Sequence, residues 1–391
     1  MKKILAILLC ICMGLVWVGC STPSAGNSDL NSTPSVSTAP EKPDAPRQNM
    51  HALSMVSVSQ DTPAQDGTVI FTRTYQNISL KLDRTDVAQA ITSDLKTRID
   101  TALANCAELE DFARDAYTGQ DEWTPYFAYI QYTPTRLDGA VLSLFGNHSS
   151  HSGGNHPTLA TQSVTYDLTT GQMLKLGDIL AKDCTNAQLI SLVNQALSPS
   201  SEDLWYDYET IIEDLFSPDL NKITNWYFSR TGLCFHFSPF TIASYSAGTI
   251  VATIPYDQLD NVLSGKYLPT EHPAATGSMY AQIHRGETDQ ITQLAQVTLD
   301  PAGASVLIYP DDTVCDVRIE TGFLSSDGSR FISSATVFAA DIMDRSCAIM
   351  LDADLAAEET LLRLVYHTGA QETSALITLS SDGSTVLLTP I

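Results

Sequence analysis

The chain has 391 residues, 43% of them hydrophobic and 8% aromatic, with 45 Asp and Glu against 21 Lys and Arg for a formal net charge of −24. That much apolar material supports packed cores and excludes a disordered chain. The charge excludes a nucleic-acid binder, which needs a basic face, and a basic patch docking on anionic lipid; a cationic partner is what such a field attracts.

Met1-Lys2-Lys3 precedes an almost wholly apolar run from Ile4 to Val18, followed by Gly19-Cys20. Two lysines, roughly fifteen apolar residues and a small residue at the cut site read as a signal peptide over 1–19, shorter than the roughly 20 residues of a spanning helix. Val18-Gly19-Cys20 resembles a bacterial lipobox, and the resemblance implies lipidation at Cys20. Residues 20–49 are mostly Ser, Thr, Pro, Ala, Gly and Asn with almost no large apolar side chain, a flexible linker that gains nothing by ordering. The expectation is a protein on the extracytoplasmic face of the cell membrane, held there by its lipid anchor alone.

Residues 50–147 form the first expected module. Thr68–Tyr75 and Ile78–Leu82 read as strands by alternation and β-branched content. Asp86 opens a helix in which Val87, Ile91, Leu95, Ile99 and Leu103 recur every fourth residue. From Pro125 the pattern alternates again through Tyr126, Ala128, Ile130 and Tyr132, and Asp138-Gly139 turns into a strand over Ala140–Phe145.

Residues 148–268 form the second module. It opens in a His, Ser and Gly loop, then places a strand at Ser163–Leu168. Asp183 or Thr185 caps a helix to about Leu197, and an acidic helix follows from about Glu202 to Leu215. Asn225–Ser229, Leu233–Phe237 and Thr249–Ile254 read as strands. Residues 277–391 are nearly all β. There Leu299-x-x-x-Gly303-x-x-Val306 is echoed by Leu379-x-x-x-Gly383-x-x-Val386, and Leu324 to Phe331 shares the turn. Each copy reads as a hairpin, and regular hairpins suggest a sandwich. The fold class is α+β: mixed α/β modules with antiparallel sheets, followed by an all-β, sandwich-like C-terminal domain.

Cys106, Cys184, Cys234, Cys315 and Cys347 have no CxxC spacing. Cys315 and Cys347 could bridge, or all could stay as packed thiols. His148, His151 and His156 lie within nine residues, but their Ser/Gly setting reads as a turn rather than a zinc site. No GxSxG, HExxH or Walker loop occurs, and the many carboxylates form no recognisable pair. No catalytic residue, metal or cofactor is therefore assigned, and a binding protein leads over an enzyme.

Three stretches carry a resemblance. They are Gly153-Gly154-Asn155-His156-Pro157 with Val164 to Gly171, Trp226 to Phe237, and Ser238-Pro239-Phe240 to Gly248 with Ile254-Pro255-Tyr256. Together they resemble the extracellular module of the RsiV-type anti-sigma factors and PdaC-type peptidoglycan deacetylases, over about residues 50–268. In the RsiV branch that module receives lysozyme, so the resemblance implies a cationic protein ligand of the muramidase type, or another cell-envelope component. His156 lies in the shared motif. Trp226, Phe228 and Phe237 read as core, while Pro239, Phe240 and Tyr245 offer compact anchors for a ligand. The alternatives are a cell-wall hydrolase or esterase with a carboxylate site, and a surface adaptor that binds an envelope protein through its C-terminal domain.

Overall fold

Strand β1 (Ala52–Pro63) opens the folded chain and buries Ala52, Leu53 and Met55. The computed structural model describes residues 49–120, 122–216, 219–269, 275–286, 291–356 and 360–391. The expectations for the signal peptide, Cys20 and the linker up to residue 48 lie outside the described residues. Among the described residues, no helix is long and apolar enough to cross a membrane.

The two strands expected between Thr68 and Leu82 are one, β2 (Val69–Lys81). Gln76 does not break it. Its side chain is buried, and its Oε1 accepts the Tyr132 backbone N–H at 2.7 Å, tying β2 to β3 (Tyr126–Leu137) past the end of their parallel ladder. Helix α1 (Thr85–Asn105) lies where the four-residue spacing put it. Val87, Ile91, Leu95 and Ile99 are buried against Leu53, Met55, Ile130 and Leu144. Ile91 and Leu95 are fully buried, which stabilises the packing by about 1.5–3 kcal/mol each. Helix α2 (Ala107–Ala116) follows, and β4 (Val141–His151) and β5 (Thr158–Asp167) complete this part of the sheet. The boundary expected at 147/148 falls inside β4.

The second segment folds as helices on a small sheet. After one turn of helix, α3 (Leu176–Ile179), Thr185 caps α4 (Asn186–Leu197) with a reciprocal bond: its hydroxyl accepts from the Gln188 N–H, and Gln188 Oε1 accepts the Thr185 N–H. Helix α5 (Tyr208–Phe216) starts six residues later than the acidic pattern suggested. Leu204 forms a β-bridge with Ala243, and the Trp205 N–H donates to Ile242 O at 3.0 Å. Extended backbone is required there, so the acidic run cannot be helical throughout. These helices cover the sheet β6 (Trp226–Phe228), β7 (Gly232–Phe237), β8 (Ile250–Pro255), with Leu189, Val193, Phe216, Phe228 and Phe235 in one core.

The last segment is all β: β9 (Met279–Ile283), β10 (Gln293–Thr298), β11 (Ala304–Pro310), β12 (Val314–Leu324), β13 (Phe331–Met343), β14 (Cys347–Ala353), β15 (Leu361–Thr368), β16 (Gln371–Leu379) and β17 (Val386–Pro390). Two of the three expected hairpins form, at β12–β13 and β16–β17. The third does not. Strand β14 lies between β10 and β11, pairing parallel with the first and antiparallel with the second. The glycines show why. Gly328 and Gly383 sit at φ +71° and +68° in true turns. Gly303 also closes a turn, its N–H donating to Asp300 O at 3.1 Å, but without a positive φ; it is glycine because a Cβ there would come within 2.2 Å of the Ala353 backbone.

The three segments are not separate sheets. One ten-stranded sheet runs β17-β16-β15-β12-β13-β1-β2-β3-β4-β5, joined where Ala52, Leu53 and Ser54 pair antiparallel with Ala340, Ala339 and Phe338. The four-stranded sheet β10-β14-β11-β9 packs on its C-terminal part through Val297, Val306, Ile349 and Leu351 against Val317, Ile319 and Phe338. The outcome is a mixed α/β protein with antiparallel sheets and an all-β C-terminal region, as the sequence suggested. The five cysteines of the folded part are all free thiols, Cys315 and Cys347 included.

Candidate functional site

The turn after β7 carries an unusual residue. Thr241 N–H donates to Ser238 O at 3.0 Å, closing a four-residue turn with Pro239 second and Phe240 third. Phe240 has φ +69°. A proline followed by a positive φ defines a type II turn, whose third position favours glycine. A phenylalanine there costs of order 1–3 kcal/mol in backbone strain, and the residue is 64% exposed. An apolar ring held in water by a strained backbone gains nothing for folding.

The ring has neighbours. Phe240 and Tyr245 have centroids 5.6 Å apart, and Tyr245 and His156 5.1 Å apart. Tyr245 is half-buried, and its hydroxyl donates to Pro157 O at 2.8 Å, clamping the tip of the β4–β5 hairpin against the Phe240 turn. The structure therefore brings His156, Phe240 and Tyr245 into one exposed ring stack, with half-buried Pro239 setting its turn. Trp226, Phe228 and Phe237 are core. The bridge through Leu204 and Trp205 joins a second loop to this edge, on which Tyr206 is fully exposed and Trp205 37% exposed. Sequence reasoning missed both by assigning them to a helix; the signal was the non-helical Leu204-Trp205-Tyr206 string before Tyr208.

The three histidines of the loop do not converge. His148 lies edge-on to Tyr132, His151 stacks on Phe127 and bonds Gly154 O at 2.8 Å, and His156 meets Tyr245. Among the described residues no group of three or more His, Cys, Asp or Glu is arranged to hold a metal.

Beneath the stack, Ser163 Oγ lies 2.9 Å from His236 Nε2, a distance a nucleophile and its base would share. The setting is structural. Ser163 Oγ is within 2.5 Å of Trp226 O, His236 Nδ1 meets the Thr161 hydroxyl at 2.7 Å rather than a carboxylate, and both side chains are buried. Burial lowers the His236 pKa to about 4. The folded state thus resists a proton that the unfolded chain accepts below about 6.5. Stability is full above that value and is lost as pH falls toward 4, by at most about 1.4 kcal/mol per pH unit. Urea unfolding of His236→Phe should show this acid-side slope removed. A slope equal to that of the parent would refute the assignment.

The fold defines a mixed α/β class. Within it, residues 177–257 match the family described as "Protein of unknown function (DUF3298)". That stretch carries Pro239, Phe240 and Tyr245 and excludes His156. A DUF3298-family structure from Bacteroides fragilis is 16% identical, covering 55% of this chain and 94% of that one at a TM-score of 0.39. Another, from Pseudomonas aeruginosa, is 18% identical over 56% of this chain and 96% of that one, also at 0.39. They are structural neighbours in the DUF3298 family, and nothing further is taken from them. No curated protein matches the chain.

Proposed function

We propose that this protein is a lipid-anchored, extracytoplasmic binding protein whose exposed ring edge recognises a cationic protein ligand, with lysozyme-type muramidases the concrete candidate. The observation that carries the reading is Phe240, an exposed residue on a strained turn, its ring against Tyr245, which in turn meets His156. Strain retained at a surface residue belongs with ligand contact rather than folding. Rigid aromatic rings are efficient anchors because few rotamers are lost on binding. The net charge of −24 supplies long-range attraction for a cationic partner. The RsiV-type resemblance of the sequence supports the same reading.

Titration calorimetry of the purified protein with lysozyme tests it. Saturable heat with fixed stoichiometry that persists when salt screens the charges is the expected result. No heat, or heat that vanishes with salt, removes the reading. Phe240→Gly should separate binding from folding. Glycine suits φ +69°, so stability should stay level or rise by up to about 1 kcal/mol, while affinity falls more than about tenfold. Unchanged affinity would clear the ring of any role.

A further inference from the structure

Alternation along β5 gives the β4–β5 hairpin two working faces. Thr161 and Ser163 point to His236 and Ser238, beneath the ring stack. Thr158, Ala160 and Gln162 line a groove of about 500 Å3 between the hairpin and the second half of α1. Its size is that of a small-molecule site.

The groove has three features. Its charges cancel: Asp94 and Arg98 pair at 2.7 Å, and Asp94 also accepts the Tyr166 hydroxyl at 2.6 Å. Burial lowers the pKa of His148 and raises that of Cys106, so both stay neutral. In a chain this acidic, an electroneutral groove admits ligands the overall field does not select. It also carries an unmet bond: His148 Nε2 is buried with no hydrogen-bond partner among the described residues. Such a buried, unsatisfied ring nitrogen is costly, and a turn of the His148 ring toward the groove would let a ligand hydroxyl recover that cost. Lastly, the lining mixes donors and acceptors, such as Gln162 and Thr101, with apolar surface from Ala102, Tyr129 and Ala160.

A ligand that complements such a wall is uncharged, rich in hydroxyls around its edge and apolar on its faces. We propose that this groove is a binding site for a neutral saccharide, with the Asp94–Arg98 pair, and His148 Nε2 once its ring turns outward, meeting its hydroxyls. The site is independent of the protein-binding edge on the other face of the hairpin.

Saturation-transfer NMR of the purified protein with cellobiose and with N,N′-diacetylchitobiose tests this. Saturable transfer to ring protons is expected, unchanged between about 50 and 500 mM salt because no net charge is involved. Thr101→Trp fills the mouth from an exposed helix position and should weaken binding at least about tenfold with the melting temperature preserved. His148→Phe keeps a ring against Tyr132, removes Nε2 and should weaken it as well. Phe240→Gly should leave sugar binding untouched. No saturable transfer from either sugar, binding that collapses with salt, or binding indifferent to Thr101→Trp overturns the proposal.

Discussion

Arg136→Met is expected to lower the free energy of unfolding by about 3–5 kcal/mol, the cost of leaving one half of a buried ion pair without its partner. Arg136 and Asp138 are buried to 3% and 6% side-chain exposure. Arg136 Nε donates to Asp138 Oδ2 at 2.6 Å, and Nη1 donates to Tyr267 O at 2.7 Å and to the Tyr256 hydroxyl at 3.0 Å. Nη2 reaches Leu268 O at 3.2 Å, and the guanidinium lies 5.1 Å from the Phe228 ring centre. One side chain on β3 thus fastens the ten-stranded sheet to the segment from Tyr256 to Leu268 that follows β8. Methionine fills the volume and strands a carboxylate, two carbonyls and a hydroxyl. Asp138 is not an interchangeable target, because its Oδ1 also accepts the Ala140 and Val141 N–H groups that turn β3 into β4. Denaturant unfolding that showed a loss below about 1 kcal/mol would mean that water enters and solvates the site.

The second large effect is a pH dependence of opposite sign to that of His236. Asp341, on β13, has its pKa raised to about 8 by burial, then by Asp138 and Asp316, against the opposing pull of Arg136 and Arg230. A carboxyl held protonated when folded, but ionised above about 4 when unfolded, makes the folded state bind the extra proton between those values. Its contribution is full below about 4 and is lost as pH rises through 8, by at most about 1.4 kcal/mol per pH unit. Asp341→Asn should therefore match the parent near pH 4 and exceed it near pH 8 by at least about 2 kcal/mol. Unfolding curves at the two pH values check this, and equal stabilities at both would refute it. Nor does this carboxyl face a substrate-sized space. Asp341 is 5% exposed, and the cleft among its neighbours Ala339, Ala340, Asp316 and Arg136 holds about 30 Å3, enough for a water and not for a substrate.

Local patterns were legible where they had a local cause. The apolar stripe of α1, the Thr185 cap and the Gly328 and Gly383 turns all act within a few residues, and each is where the sequence placed it. The anchors Phe240 and Tyr245 were visible as rings beside Pro, Ser and Gly; their stack with His156 was not, because it needs the hairpin tip and the turn after β7 to meet. What failed was long-range. β1 went unread because its second half, Ser57 to Pro63, is mostly polar and exposed, and its apolar start is buried in part by β13, far along the chain. The β10–β11 hairpin was wrong because the Gly303 turn does form, but β14, from farther along the chain, takes the place between the two strands. Trp205 and Tyr206 were lost because a bridge to Ala243 overrides an acidic helical pattern.

The place of β1 in the sheet has a mechanical consequence. It is the first strand of the folded chain, and it lies between β13 and β2, with bonded neighbours on both sides. A pull applied at residue 49 would run along β1 in the plane of the sheet, loading both ladders in shear, so that many bonds must fail together rather than peel singly. A protein tethered through its N-terminus to a growing, turgid cell surface would carry its load through the middle of its largest sheet, gripped by its own last third.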